Sequence, residues 1–177
     1  DDAAGLGASV LGWMDIRYVI LDRYKMPAGL ERDFTTALAG AIFAGVAPAY
    51  EDERLTVYRV APPADRLPFP VLGQGWGPRA EGPDGVYRTV EDQAELWVQS
   101  APGQRLRLTV RAEAPPGRTL RLRAPDGTEA ELGHSADGAM GRLDWTSEGN
   151  ESLIALEVEG SGDALRIRSA HVESAPR

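Results

Sequence analysis

From Leu67 onward, short stretches in which apolar and polar residues alternate are separated by turn-forming residues, and nothing else in the chain constrains its fold as strongly. In QRLRLTVRAE, Leu106, Leu108 and Val110 fall on one side of an extended chain, and Arg105, Arg107, Thr109 and Arg111 fall on the other. A period of two sets one series against a core and leaves the other in water. The alternation recurs at Leu120/Leu122, at Ile154/Leu156/Val158 and at Leu165/Ile167, so several strands share one interior. Turn signals punctuate them at Gly82-Pro83-Asp84-Gly85, Pro102-Gly103, Pro115-Pro116-Gly117, Asp126-Gly127, Asp137-Gly138 and Gly160-Ser161-Gly162. That spacing suits an antiparallel β-sandwich, expected here to be of jelly-roll kind.

The first sixty residues follow another rule. Leu6 to Met14 suits a short helix, and the apolar run from Ile16 to Arg23 reads as a strand buried on both faces. Pro27 suits a helix start, Leu30, Phe34, Leu38 and Ile42 recur every four residues with Ala37 and Ala41 beside them, and Gly45 offers a stop. Ala49-Tyr50 and Leu55 to Val60 then flank the charged turn Glu51 to Arg54, as in a hairpin. The result is a small α/β unit, with a right-handed crossover expected if its first strand pairs parallel to a later one. Pro62-Pro63 interrupts any ladder, so the unit is expected over residues 1–62 and the sandwich over 63–177.

Charge narrows the partners. The formal net charge is -8, which argues against unaided binding to nucleic acid or to an anionic membrane, since each requires a basic face. The chain has no cysteine, so disulfide and thiol chemistry are excluded. His134 and His171 lie too far apart in sequence for metal-ligand spacing, and neither a metal nor a cofactor is expected. The longest weakly polar stretch, Ala37 to Ala49, is short for a bilayer span and is broken by glycine and Pro48, so the chain is expected to be soluble as it stands. It begins Asp-Asp without a charged and apolar leader, as expected of a processed product or a piece of something longer.

No motif specifies a reaction. A carboxylate pair such as Glu81 with Glu91 or Asp92 is the arrangement glycoside hydrolysis uses. The acidic residues, however, sit mainly in turns or alternate with leucines opposite arginine-bearing strands, as Glu157 and Glu159 do, so cross-strand ion pairing accounts for them. Ser135 stands beside His134 and Asp137 in a glycine-rich turn, with no Gly-x-Ser-x-Gly elbow. Gly73-Gln-Gly75-Trp-Gly77 has no following helix to cradle a phosphate. Of the tryptophans, Trp13, Trp76, Trp97 and Trp145, Trp97 is out of phase with Leu96 and Val98 and so points away from what they bury. An exposed aromatic on a sandwich stacks on the apolar face of a sugar ring, whereas a packed one fills a seam, and packing is the more ordinary role. Trp76, at the entry to the sandwich, is therefore expected as a wedge between the two units rather than as a ligand platform.

The segments LGWMDIRYVILDR, YEDERLTVYRV and VLGQGWGPRAE followed by VYRTVEDQAELWV resemble the soluble C-terminal region of polytopic bacterial membrane glycosyltransferases of the GT-C type, which use lipid-linked sugars, and of related uncharacterised membrane proteins. The resemblance covers about the first hundred residues. Gly75-Trp76 and Glu81 match its Gly-Trp…Glu start, while Thr89 stands where an aromatic follows the Tyr87-Arg88 pair. It implies a non-catalytic, extracytoplasmic accessory region, tethered to the membrane in the full-length protein, whose partners are its own membrane domain and a glycan or glycolipid acceptor. Trp76, Glu81, Tyr87 and Arg88 are the candidate glycan-contacting residues. The alternatives are a freestanding secreted carbohydrate-binding or adhesion module and a structural protein-interaction domain without a small ligand.

Overall fold

The computed structural model describes residues 3–61, 67–132 and 138–176, which form two units, 1–67 and 68–177. Pro62 and Pro63 lie outside the described residues.

The first unit carries α1 (Ala3–Trp13), β1 (Tyr18–Asp22), α2 (Leu30–Ile42), β2 (Tyr50–Glu51) and β3 (Leu55–Arg59). Its sheet has the order β1-β3-β2 and both pairings are antiparallel, so β1 does not pair parallel with a later strand and the crossover condition is not met. Leu21, Ala39, Phe43 and Val60 form a small core, with the rings of Phe43 and Tyr58 stacked at 4.4 Å. One sequence expectation fails here, and one periodic series is only partly covered. Strand β1 is covered on one face only, because Leu21 is buried while Tyr18 and Ile20 on the other face are exposed, Ile20 at 60%. The stripe of α2 is divided, Leu30 being 87% and Phe34 68% exposed, while Ile42 packs on the core with Ala39 and Phe43. Periodicity tells which residues share a face, and the helices cover one face of this sheet while nothing among the unit's described residues covers the outer ones.

The second unit is a β-sandwich, with ten strands among its described residues. They are β4 (Phe69–Leu72), β5 (Trp76–Gly82), β6 (Gly85–Val90), β7 (Gln93–Gln99), β8 (Arg105–Glu113), β9 (Arg118–Arg123), β10 (Glu129–Leu132), β11 (Ala139–Thr146), β12 (Glu151–Gly160) and β13 (Leu165–Ser174). One sheet has the order β10-β9-β12-β7-β4 and the other β11-β8-β13-β6-β5, every pair being antiparallel. Strands β6 to β13 cross from one sheet to the other at every step but the β9–β10 hairpin, in the order of a double Greek key, which makes the sandwich a jelly roll. β4 and β5 extend the two sheets by one strand each at the same side.

The inward series are those the alternation marks. Leu106, Leu108, Val110, Leu120, Leu122, Ile154, Leu156 and Leu165 are all fully buried, joined by Val90, Leu96 and Val98. Each such side chain is worth about 1.5–3 kcal/mol removed from water. Outward, Arg107 bonds Asp144 at 2.7 Å, and Arg123 and Arg121 reach Glu157 and Glu159 at 2.9 and 3.0 Å, the ion pairing that accounts for those carboxylates. Arg118 is buried and donates to the carbonyls of Gly160, Gly162 and Asp163, which pins the β12–β13 turn.

Candidate functional site

At the β4/β5 side the jelly roll stays open. Pro70 and Leu72 of β4 lie opposite Val98 and Leu96, so they share the inner face of their sheet. Across the gap, Trp76 lies opposite Val90, and Arg79 lies opposite Arg88, which in turn lies opposite Ile167. These inner faces enclose a cleft of about 200 Å³, lined by Leu72, Trp76, Arg79, Val86, Arg88 and Ile167 among others. That it opens to water is clear from Leu72 and Val86, inward-facing yet 44% and 39% exposed.

Local sequence explains the shape. The turn Pro83-Asp84 closes the β5–β6 hairpin between Gly82 and Gly85, and the register is then fixed back to Arg79, beyond which it shifts before Trp76. Glycines flank Trp76 for steric reasons. Gly75 has φ 81°, and a Cβ there would stand 2.1 Å from the Gln93 carbonyl oxygen, while a Cβ at Gly77 would stand 2.1 Å from Thr89 Oγ1. β5 therefore presses against its neighbours on both sides of the indole. The indole Nε1 donates to the Glu95 carbonyl at 2.6 Å, and its ring packs against the sandwich core. Trp76 thus closes the interior of its own sandwich while also lining the cleft.

The four sequence candidates do not converge fully. Trp76 and Arg88 face the cleft, and the Arg88 guanidinium is fixed by a 2.9 Å bond from Nη1 to the Gly77 carbonyl. Tyr87 borders the cleft, but it is out of phase with Val86 and Arg88, and its ring lies beneath the guanidinium groups of Arg166 and Arg168 at 5.0 and 5.2 Å. Arg168 is itself held by Glu113 at 2.7 Å and by the Gly85 carbonyl at 2.9 Å. Glu81 shares the face of Arg79 but lies one row further out, opposite Val86, and does not line the cleft. Arg79 is the residue that sequence reasoning missed, although counting back from a two-residue hairpin pairs it with Arg88.

Two further hollows among the described residues do not gather such a set. One of about 450 Å³ is lined by Arg168 and Glu113, already paired, with Asp84, Arg111 and Met140. Another of about 420 Å³ holds Glu91 and Asp92 beside Trp76. Glu81 is level with Val86, five residues along β6 from Glu91, which separates those carboxylates by about 17 Å at the rise of a strand. Acid and base in glycoside hydrolysis stand about 5–9.5 Å apart, so this pair cannot serve. His134, Ser135 and Asp137 lie outside the described residues. His171 is exposed on β13 beside Glu173. Trp97 lies on the outer face of its sheet, level with Val71 and Leu153. Among the described residues, no group of three or more His, Asp or Glu is placed to hold a metal ion, and no helix is long and apolar enough to cross a membrane.

Fold and site define a jelly-roll β-sandwich with an amphipathic cleft at its open side. No family model matches the chain, and no curated protein matches it. Solved structures similar to it include the CBM61 module TmCBM61 in complex with β-1,4-galactotriose, at 11% identity over 61% of this chain and 88% of that one, with a TM-score of 0.43. The Podospora anserina GH26-CBM35 β-(1,4)-mannanase is similar at 18% identity over 63% of this chain and 28% of its own, with a TM-score of 0.44. The mosquito-larvicidal Cry4Aa toxin of Bacillus thuringiensis is similar at 11% identity over 70% of this chain and 27% of its own, with a TM-score of 0.42. Likenesses this distant carry no argument about ligand or site, and the jelly roll is established by the strand order itself.

Proposed function

We propose that this chain is a non-catalytic glycan-binding module whose site is the cleft at the β4/β5 side. The observation that carries the proposal is the pairing, in one cleft, of an indole and an aliphatic wall with guanidinium donors. A sugar ring needs both, an apolar surface for its C–H face and donors for its oxygens. The lining offers guanidinium groups and the Ser169 hydroxyl, a set suited to holding a ring rather than cleaving a bond. Glycan-array screening of the chain, followed by calorimetry on what it retains, tests this reading. Leu72→Ala is expected to weaken binding at least fivefold with little change in Tm, since that side chain is already half exposed. Absence of any retained glycan, or binding indifferent to Leu72→Ala and Trp76→Phe, removes the reading.

Attachment to a polytopic, extracytoplasmic glycosyltransferase is a separate proposal, and it rests on the residue pattern of the first hundred residues. An immunoblot of separated membrane and soluble fractions tests it. A band several times larger than 19.0 kDa that stays with carbonate-washed membranes supports it, and a band near that size in the soluble or secreted fraction discards it.

A further inference from the structure

We infer that the cleft selects acidic sugars, holding a hexuronate carboxylate between Arg79 and Arg88. The inference rests on the glycan-binding reading and adds the charge of the ligand to it. Among the described residues, five of the sandwich's outward arginines have carboxylates: Arg107 has Asp144, Arg121 has Glu159, Arg123 has Glu129 and Glu157, and Arg166 and Arg168 share Glu113, while Arg105, Arg111 and Arg142 form no ion pair but stand on the wet face. Arg79 and Arg88 stand directly opposite each other on one face, and among the described residues neither forms an ion pair. Like charges placed opposite one another on a sheet repel, so folding alone disfavours this arrangement. Inward-pointing charge also protects edge strands from pairing, which would account for Arg79 on β5. It does not account for Arg88, because β6 lies inside the sheet between β5 and β13.

What the pair lacks is an anion. Arg88 uses one N–H on the Gly77 carbonyl, which fixes its guanidinium while leaving other donors of the fork free. A planar carboxylate matches such a fork, and the apolar wall of Leu72, Val86 and Trp76 gives the attached ring its surface. The chain's net charge of -8 does not prevent this, because charges beyond about 8 Å are largely screened at physiological salt. Glu81, the nearest carboxylate on the same face, lies one row out and pairs with neither arginine.

The test is calorimetry of the chain with oligosaccharides of galacturonate, glucuronate and mannuronate, their methyl esters, the neutral parent sugars and sulfated counterparts. We expect at least one hexuronate to bind tenfold or more tighter than its methyl ester, with an advantage that shrinks as salt rises. Arg79→Gln combined with Arg88→Gln should bring the acid down to the level of the ester, and Arg88→Lys should recover only part of the difference. Tm should be unchanged or higher in the double glutamine variant, since a like-charge pair is removed. Equal binding of acid and ester overturns the inference and leaves the glycan-binding reading standing. Preference for sulfated sugars over hexuronates overturns the carboxylate assignment, and binding to none of the panel overturns the inference, the glycan-binding reading falling with it when the array also retains no glycan.

Discussion

The two units differ in how completely they bury what their sequences mark as apolar. In the sandwich the inward leucines of β8, β9, β12 and β13 are fully buried, because each sheet is the other's cover. In the α/β unit the core is Leu21, Ala39, Phe43 and Val60, and large apolar residues on both α2 and β1 are left exposed. Both patterns were strong in the sequence. A periodic apolar series is therefore a statement about direction, and only the presence of a second layer turns direction into stability.

The sharpest way to test that contrast is one substitution made in both units. Leu156→Ala removes a fully buried side chain, for which about 2–5 kcal/mol is expected. Leu38→Ala removes a side chain that is 46% exposed, and a change within about 0.5 kcal/mol is expected. Urea unfolding followed by tryptophan fluorescence measures both. A Leu38 loss approaching that of Leu156 would mean that the outer face of α2 is covered in solution, and the contrast would break.

A smaller effect separates the arginine clasps. Arg118 of the sandwich is buried over three carbonyls of the β12–β13 turn, so Arg118→Ala should cost about 2 kcal/mol, little changed by salt. Arg54 of the α/β unit holds Asp22 from solvent, its Nη2 2.6 Å from the carboxylate. Arg54→Ala should lower the urea midpoint less, and its effect should fade in 1 M salt, where screening acts over about 3 Å. Equal salt sensitivity at the two sites would show that Arg118 is as solvated as Arg54.

How far the sequence reached follows the same line. Leu106/Leu108/Val110 and their counterparts located the strands, and turns such as Gly82-Pro83-Asp84-Gly85 and Asp126-Gly127 located the ends, because alternation and turn chemistry are local properties. The inward position of Arg88 was also readable, two residues before Val90. Its meeting with Arg79 depends on hairpin register, and the cleft depends on two strands, β4 and β5, lying across from each other in different sheets. Pairing between sheets leaves no periodic trace in one chain. Tyr87 shows the converse, since a sequence neighbour of Arg88 is turned by the pleat to the opposite face, beneath Arg166 and Arg168.

The finest test of the contrast is acid. In the α/β unit the Arg54 guanidinium, aided by the backbone N–H groups of Tyr24 and Lys25, holds the Asp22 carboxyl down from 3.8 to about 2. Asp52 is lowered as well, first by the Tyr50 hydroxyl at 2.6 Å and then by the N–H groups of Leu55 and Arg54. A carboxyl whose pKa is lower folded than unfolded gives its stabilisation in full above the unfolded value, and loses it as pH falls through the folded one. The window for Asp22 therefore runs from about pH 4 down to about 2. In the sandwich, Asp144 is lowered by Arg107 and Asp126 by the Thr128 N–H, so that unit is also weakened by acid. It has a deeply buried core to offset the loss, and the α/β unit does not. The α/β unit should accordingly lose its tyrosine near-UV signal at a higher pH than the sandwich loses its β-sheet signal. Asp22→Asn should flatten the fall in urea midpoint between pH 4 and 2 for the first unit alone. An unchanged slope in that variant would remove Asp22 from the account. A sandwich that unfolds first would mean that buried leucine is not what separates the two units at low pH.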